Sequence, residues 1–180
     1  PVSNSKKKNK DVLSIDYSSV DNIRKVLSQN KKPDIFLHLG WGNVYDPHHS
    51  SHINENLFEG KNLFETFYKY GITKIILLGS SSEYGDLCGA LKENTKINSY
   101  QNLYVKGKIK LCNYGLEKSK FYNKLFLHIR LFYAYGEGQR KNSLINQLYS
   151  SGRDSKIIKL TPCEHFRDYI YIDDVVVGIE

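Results

Sequence analysis

The chain has 180 residues, of which 40% are hydrophobic and 25% are charged. This composition is that of an ordinary globular protein and excludes a collagen, a coiled coil or wholesale disorder. The formal net charge of +7 owes much to a stretch that contains Lys6, Lys7, Lys8 and Lys10 and no acid, and scattered lysines supply the rest. We therefore expect residues 1–10 to be a basic connector and expect no nucleic-acid partner.

Three further features bear on location and completeness. The sequence contains no Met and begins with Pro1, which favours an internal piece of a longer protein. No apolar run approaches the ~20 residues that a membrane span needs, so no membrane partner is expected. The three cysteines are an odd number without a CxxC pair, which favours reduced thiols and predicts a cytoplasmic location.

Apolar runs alternate with segments of helical periodicity along almost the whole chain. The runs are nearly continuous, which is typical of strands buried on both faces of a sheet. Serines mark the start of the first predicted helix, and Gly71 marks the end of the second. Predicted strands lie at 12–15, 35–39, 74–78, 125–131 and 157–160, and predicted helices lie at 19–27, 53–70, 101–122, 143–148 and from 172 onward.

This alternation predicts an α/β fold with a doubly wound, parallel, Rossmann-like sheet. Ligands of such folds bind at the carboxyl ends of the strands. The residues there are small and polar in this chain, so the backbone can approach a ligand and hydroxyl groups are available to it. They lie at 16–17, 39–42, 79–85 and 130–139.

A tyrosine followed four residues later by a lysine on one helical face can exchange a proton with a carbinol, because the ammonium lowers the pKa of the phenol. The pattern occurs three times. One copy straddles a helix end, and another lies about three turns down the helix at 101–122. The remaining copy lies at the start of that helix, near the serine-rich strand end. In that order the pairs are Tyr70/Lys74, Tyr114/Lys118 and Tyr104/Lys108, and we predict that Tyr104 and Lys108 act.

Six segments together resemble one family, the extended short-chain dehydrogenases/reductases, and in particular its NAD-dependent nucleotide-sugar epimerase/dehydratase group. Each segment alone is loose, but their order and separation are specific, and the resemblance covers the chain from residue 12 to the end. The segments lie at 38–41, 53–56, 80–86, 104–108, 130–139 and 166–175.

The resemblance implies a bound NAD or NADP. Asp16 and Tyr17 would lie at the adenine, whereas Leu39, Gly40 and Trp41 would line the nicotinamide dinucleotide. Ser80, Tyr104 and Lys108 would complete the cofactor site, with Lys108 at the nicotinamide ribose.

The resemblance also assigns roles toward a nucleotide-sugar substrate. Tyr104 would be the acid/base, and Ser81 would hydrogen-bond the C4 oxygen of the sugar. Ser81 fits when residues are counted from the strand end, but Ser80 fits when they are counted back from Tyr84, so both serines stay open. The two substrate-binding residues would be Asn54 and Arg167, the latter holding the pyrophosphate.

The reaction is left open between several outcomes. The implied activity is oxidation at C4 to a 4-keto sugar, followed by epimerisation, dehydration or reduction. Glu83 resembles the acid that removes a proton in dehydratases, although it could equally cap or solvate its loop. The alternatives are a 4-ketoreductase of the same family and a catalytically silent Rossmann-like binding or scaffold protein. A homodimer is an expected assembly, because relatives often pair through the tyrosine-bearing helix and the helix before it.

The chain departs from the family pattern at both ends. The Gly-rich phosphate-binding turn and the first βαβ unit are lacking, so we expect residues 11–180 to be a partial dinucleotide-binding domain with the start of a substrate-binding part. On its own, this chain is expected to show negligible turnover. No metal is expected, because His48, His49 and His52 lack a fourth ligand in the sequence.

Overall fold

The computed structural model describes residues 15–17, 19–95, 100–162, 164 and 166–180. These residues divide into two compact units, one ending at Arg130 and the other formed by Leu131–Glu180. The basic stretch at 1–10 and all but the last residue of the strand predicted at 12–15 lie outside the described residues. No helix of the described ranges is long and apolar enough to cross a membrane.

The predicted α/β class is confirmed. Helices and strands alternate along the first unit, with a π-helical segment at His52–Asn56 and a 3₁₀ turn at Ser81–Tyr84 inserted between them. The regular elements are α1 (Val20–Ser28), β1 (Ile35–His38), α2 (Leu57–Tyr70), β2 (Lys74–Ser80), α3 (Leu103–Tyr122) and β3 (Leu125–Leu131).

The strands β1, β2 and β3 form a sheet in that order. β1 and β2 are parallel, with Ile35 opposite Lys74 and His38 opposite Leu77. The carboxyl ends of β1 and β2 therefore meet at one edge of the sheet. This is the edge at which the sequence predicts a site.

Local chemistry fixes the ends of the helices much as the sequence predicts. The hydroxyl of Ser19 accepts a hydrogen bond from the backbone N of Asn22 and so caps α1. α2 ends at Gly71, whose φ of +92° lies in the left-handed region that favours glycine. The side chain of Asn102 accepts from the backbone N of Val105 and begins α3 two residues later than predicted.

The core of the first unit lies between the sheet and the helices. Ile75 and Leu77 on β2 are fully buried, and so are Phe64 on α2 and Leu111 on α3. Burial of side chains of this size contributes roughly 1.5–3 kcal/mol each, which makes this core the main support of the edge above it. Helix α3 carries the predicted site residues Tyr104 and Lys108 along this core.

The second unit contains β4 (Tyr133–Tyr135), α4 (Leu144–Arg153), β5 (Tyr169–Tyr171) and α5 (Ile172–Ile179). β4 and β5 pair in parallel, and neither was predicted. The strand predicted at 157–160 is wrong. That segment is irregular, and the side chain of Ile157 is 99% exposed, so its apolar residues neither join a ladder nor enter a core.

Candidate active site

The site is built where β2 ends and the 3₁₀ turn begins. Ser80 is the last residue of β2, and its hydroxyl accepts a hydrogen bond from the backbone N of Ser82. The carboxylate of Glu83 accepts in return from the backbone N of Ser80, at 2.9 Å. This reciprocal cap fixes the Ser80 side chain at the carboxyl edge of the sheet.

Tyr104 lies in the first turn of α3 and meets this edge. Its phenol hydrogen-bonds the side chain of Ser80. Its backbone N donates to the carbonyl of Pro47 at 2.9 Å, which ties the start of the helix to the loop after β1. Of the two serines left open by the sequence, Ser80 is the one that contacts Tyr104.

The pKa of Tyr104 is raised above its usual value. Burial is the largest cause, and the negative charge of Glu83 adds to it, whereas the hydrogen bond with Ser80 opposes it. Lys108 is not among the groups that shift this pKa in the structure, so the expectation that it lowers the pKa of Tyr104 stays a prediction.

Lys108 lies one turn further along α3 and is almost completely buried. Its Nζ donates to the carbonyl of Leu78 at 2.7 Å and lies 4.4 Å from the ring centre of Trp41, against 5.9 Å from the ring centre of Tyr104. Burial lowers the pKa of Lys108 to about 8, although the charge of Glu83 acts in the opposite direction. The lysine can therefore change its protonation near neutral pH.

Glu83 is completely buried beneath the site. Besides the backbone of Ser80, its carboxylate contacts His128 Nε2 at 3.3 Å and accepts from Arg130 Nε at 3.2 Å. Burial alone would raise the pKa of Glu83, but the contacts with His128, Ser80 and Arg130 hold it below its usual value. A carboxylate with this many partners anchors the strand end and caps the 3₁₀ turn, while its role as a base stays a prediction.

A network that the sequence did not predict supports Tyr104 from the other side. The indole of Trp41 donates from Nε1 to His52 Nδ1 at 3.0 Å, and His52 Nε2 lies 2.8 Å from the carbonyl oxygen of Asp46. The rings of Trp41 and His52 both contact the Tyr104 ring edge to face. The sequence signal for this network is weak, since a tryptophan after a strand and a histidine in the next helix fit many roles.

Close packing of α3 against this network depends on a glycine. A Cβ on Gly107 would lie 2.6 Å from the backbone oxygen of His52 and 3.0 Å from the indole of Trp41. A side chain at this position would push α3 away from the loop. Close packing against the loop thus explains why a glycine lies between Tyr104 and Lys108.

Most of the predicted cofactor residues are exposed to solvent, but one of them is buried. Leu39 and Gly40 are exposed, and a Cβ built on Gly40 would meet no atom within 4 Å. Asp16 and Tyr17 are also exposed. The side chain of Trp41, by contrast, is only 9% exposed and points into the core.

The two predicted substrate-binding residues belong to different units. Asn54 is exposed on the π-helical segment of the first unit. Arg167 belongs to the second unit, where its guanidinium lies over the ring of Tyr133 at 4.9 Å and donates to the hydroxyl of the same residue. Their roles toward a substrate stay predictions.

The model of the NAD dependent epimerase/dehydratase family matches residues 2–179 of this chain. The chain belongs to this family. A relative in Bacillus subtilis, the uncharacterized UDP-glucose epimerase YtcB, is 27% identical over 158 residues, which cover 81% of this chain and 48% of the relative. The chain therefore spans about half the length of this curated relative.

Solved structures support the fold. A crystal structure of UDP-glucuronic acid 4-epimerase from Bacillus cereus, in complex with UDP-glucuronic acid and NAD, matches with a TM-score of 0.72 at 24% identity and covers 91% of this chain and 52% of that chain. The UDP-glucose 4-epimerase of Thermotoga maritima, solved with UDP-glucose, matches with a TM-score of 0.76 at 20% identity, over 90% and 55% of the two chains. At these identities the likeness concerns the Rossmann-like architecture.

Proposed function

We propose that the whole protein is an NAD-dependent nucleotide-sugar epimerase that works through oxidation of the sugar at C4. The observation that carries the proposal is the position of Tyr104 in the first turn of α3, at the end of β2 where Ser80 lies, with Lys108 buried one turn further along the helix. Membership of the family and the UDP-sugars bound by two solved neighbours support the substrate class.

The residues at the sheet edge fit a dinucleotide. Leu39 and Gly40 are exposed at the end of β1, and the open space around Gly40 would let a flat ring or a ribose approach the backbone. Asp16 and Tyr17 would hold the adenine end, and Lys108 would contact the nicotinamide ribose. NAD, when bound, would supply a nicotinamide ring that accepts a hydride from the sugar and later returns it.

Three side chains would act together in the proton transfer at C4, namely those of Tyr104, Ser80 and Lys108. As the C4 carbon gives up its hydride to the nicotinamide, Tyr104 in its phenolate form would take the proton of the C4 hydroxyl, so that the sugar loses one hydride and one proton and becomes a ketone. Ser80 donates a hydrogen bond to the same oxygen and orients it. Lys108, as an ammonium, favours the phenolate form of Tyr104, and the proton returns from Tyr104 to the oxygen when the ketone is reduced on its other face.

The surroundings of Glu83 favour epimerisation over dehydration. A dehydratase needs a base that can reach a carbon next to the ketone, and that base must take up a proton. Glu83 is completely buried, its carboxylate contacts two basic side chains and a backbone amide, and its pKa is held low. Asn54 and Arg167 would bind the nucleotide portion, with the guanidinium of Arg167 suited to a pyrophosphate.

The test is the interconversion of UDP-glucose or UDP-glucuronic acid with its 4-epimer by the whole protein with NAD. We expect turnover in the wild type, a loss in Ser80→Ala on the order of 10²-fold because one donor to the reacting oxygen is removed, and unchanged turnover in the matched control Ser81→Ala. Absence of turnover with both sugars would overturn the proposal. A loss confined to Ser81→Ala would move the hydroxyl role from Ser80 to its neighbour.

A further inference from the structure

The inference concerns Trp41, which is the single tryptophan of the sequence. Its ring contacts both members of the tyrosine–lysine pair. The ammonium of Lys108 lies 4.4 Å from the indole centre, and the Tyr104 ring meets the indole edge to face at 6.2 Å. Because Trp41 is only 9% exposed, the contact with Lys108 is shielded from water, which strengthens a cation–π interaction.

The indole is held in one orientation by its own hydrogen bond. Indole Nε1 can only donate, so His52 Nδ1 must accept, and the proton of the His52 ring then sits on Nε2. That Nε2 donates to the backbone carbonyl of Asp46. His52 is completely buried, so the indole ring of Trp41 and the imidazole ring of His52 cannot easily rotate within these two hydrogen bonds.

Among the groups around Lys108, the indole of Trp41 is a main stabiliser of the positive charge. The titratable side chains that face it are His38 from β1, Tyr104 from its own helix and Glu83 from the 3₁₀ turn, with His52 across the indole. Burial and the nearby ammonium lower the pKa of His38 to about 4, so His38 is neutral. The carboxylate of Glu83 is engaged by His128 and Arg130.

We propose that Trp41 is a positioning residue whose ring face holds the ammonium of Lys108 beneath Tyr104. Without this face, the ammonium would keep the carbonyl of Leu78 as its hydrogen-bond acceptor among the described residues. The purpose of this arrangement rests on the function proposed above, in which Lys108 must be charged and close to Tyr104. The physical contact itself can be tested without any substrate.

The experiment replaces Trp41 by tryptophans with increasing numbers of ring fluorines, which weaken the cation–π interaction while hardly changing the ring volume. Because the chain has one Trp, the label enters at this position alone. The Nζ resonance of Lys108, assigned by its loss in Lys108→Met, is followed by NMR from pH 6 to 10. We expect the midpoint of its titration to fall stepwise, by about one pH unit from indole to tetrafluoroindole.

Lys118 is the control within the same spectra. It lies over the rings of Tyr114 and Phe121, whereas the single indole lies at Lys108, so the resonance of Lys118 should not respond to fluorination of Trp41. A Lys108 midpoint that stays constant or rises with fluorination would overturn the inference, as would a shift of equal size at Lys118. Turnover is not read in this experiment, so its failure and a failure of the proposed function are distinguishable.

Discussion

Helix α3 carries two tyrosine–lysine pairs of identical spacing in different surroundings. Tyr104 hydrogen-bonds a serine at the strand end, and Lys108 lies on an indole ring. Ten residues further on, the Tyr114 hydroxyl donates to the carboxylate of Glu65 at 3.0 Å, and Lys118 lies 3.2 Å from the same carboxylate. The two copies of one sequence pattern thus have different partners.

The difference decides which pair can do chemistry. Burial and the adjacent Glu65 carboxylate raise the pKa of Tyr114 far above its usual value, and the ion pair occupies Lys118. Among the ion pairs of the described residues none involves Lys108, whose pKa lies at about 8. Tyr114 and Lys118 therefore link α3 to α2 through Glu65. Tyr104 and Lys108 are not bound in this way and can take up and release protons.

Each pair lies near a carboxylate, and removal of the two charges should have unequal effects. Glu83→Gln leaves Arg130 without its buried counter-charge, so we expect the free energy of unfolding of the chain to fall by about 3 kcal/mol. Urea titration followed by circular dichroism measures this. A loss below about 1 kcal/mol would contradict the anchoring role of Glu83 and would reopen its assignment as a base.

The matched change Glu65→Gln should cost about 1 kcal/mol, because that side chain is 25% exposed and water screens its ion pairs. The cost should depend on pH. Although burial opposes it, hydrogen bonds from Tyr122, Lys69, Lys118 and Tyr114 lower the pKa of Glu65 to about 2, from 4.5. A lowered carboxylate pKa stabilises the folded state above the unfolded pKa and loses this effect as the pH falls through the folded pKa.

The difference in unfolding free energy between wild type and Glu65→Gln should accordingly stay constant from pH 7 down to the ordinary pKa of 4.5 and shrink between 4.5 and about 2. Urea titrations of both chains at several pH values measure it. A difference that does not depend on pH in this window would show that the Glu65 contacts stabilise through packing rather than charge.

The sequence predicted the elements whose signals are local. Strand β3 was placed at its observed bounds, and the glycine end of α2 was placed at Gly71. The choice of Tyr104 over Tyr114, which stays a prediction, likewise rested on the position of each along one helix. Buried parallel strands and capped helices carry their pattern within about ten residues, which is why a single sequence suffices for them.

The sequence did not predict the contacts between residues that lie far apart in the chain. Lys108 meets a ring 67 positions earlier in the chain, and Glu83 meets Arg130 across 47 positions, which no local pattern encodes. The short strands β4 and β5 have three residues each and depend on mutual pairing. The segment at 157–160 shows the converse error, since apolar composition alone does not supply a neighbouring strand.

The sequence left the choice between Ser80 and Ser81 open for a related reason. Which of two adjacent hydroxyls faces the helix depends on where the strand ladder ends and the 3₁₀ turn begins, and a shift of one residue exchanges the two faces. In the structure the ladder ends at Ser80, whose hydroxyl reaches Tyr104.

The most direct test of the account is the turnover number of the whole protein with NAD and a UDP-sugar in Tyr104→Phe and Tyr114→Phe. Each change removes one hydroxyl from the same helix. The account predicts that Tyr104→Phe lowers kcat by about 10²- to 10⁴-fold, as expected for loss of a general acid/base, and that Tyr114→Phe leaves kcat unchanged. A wild-type kcat in Tyr104→Phe, or an equal loss in Tyr114→Phe, would contradict it.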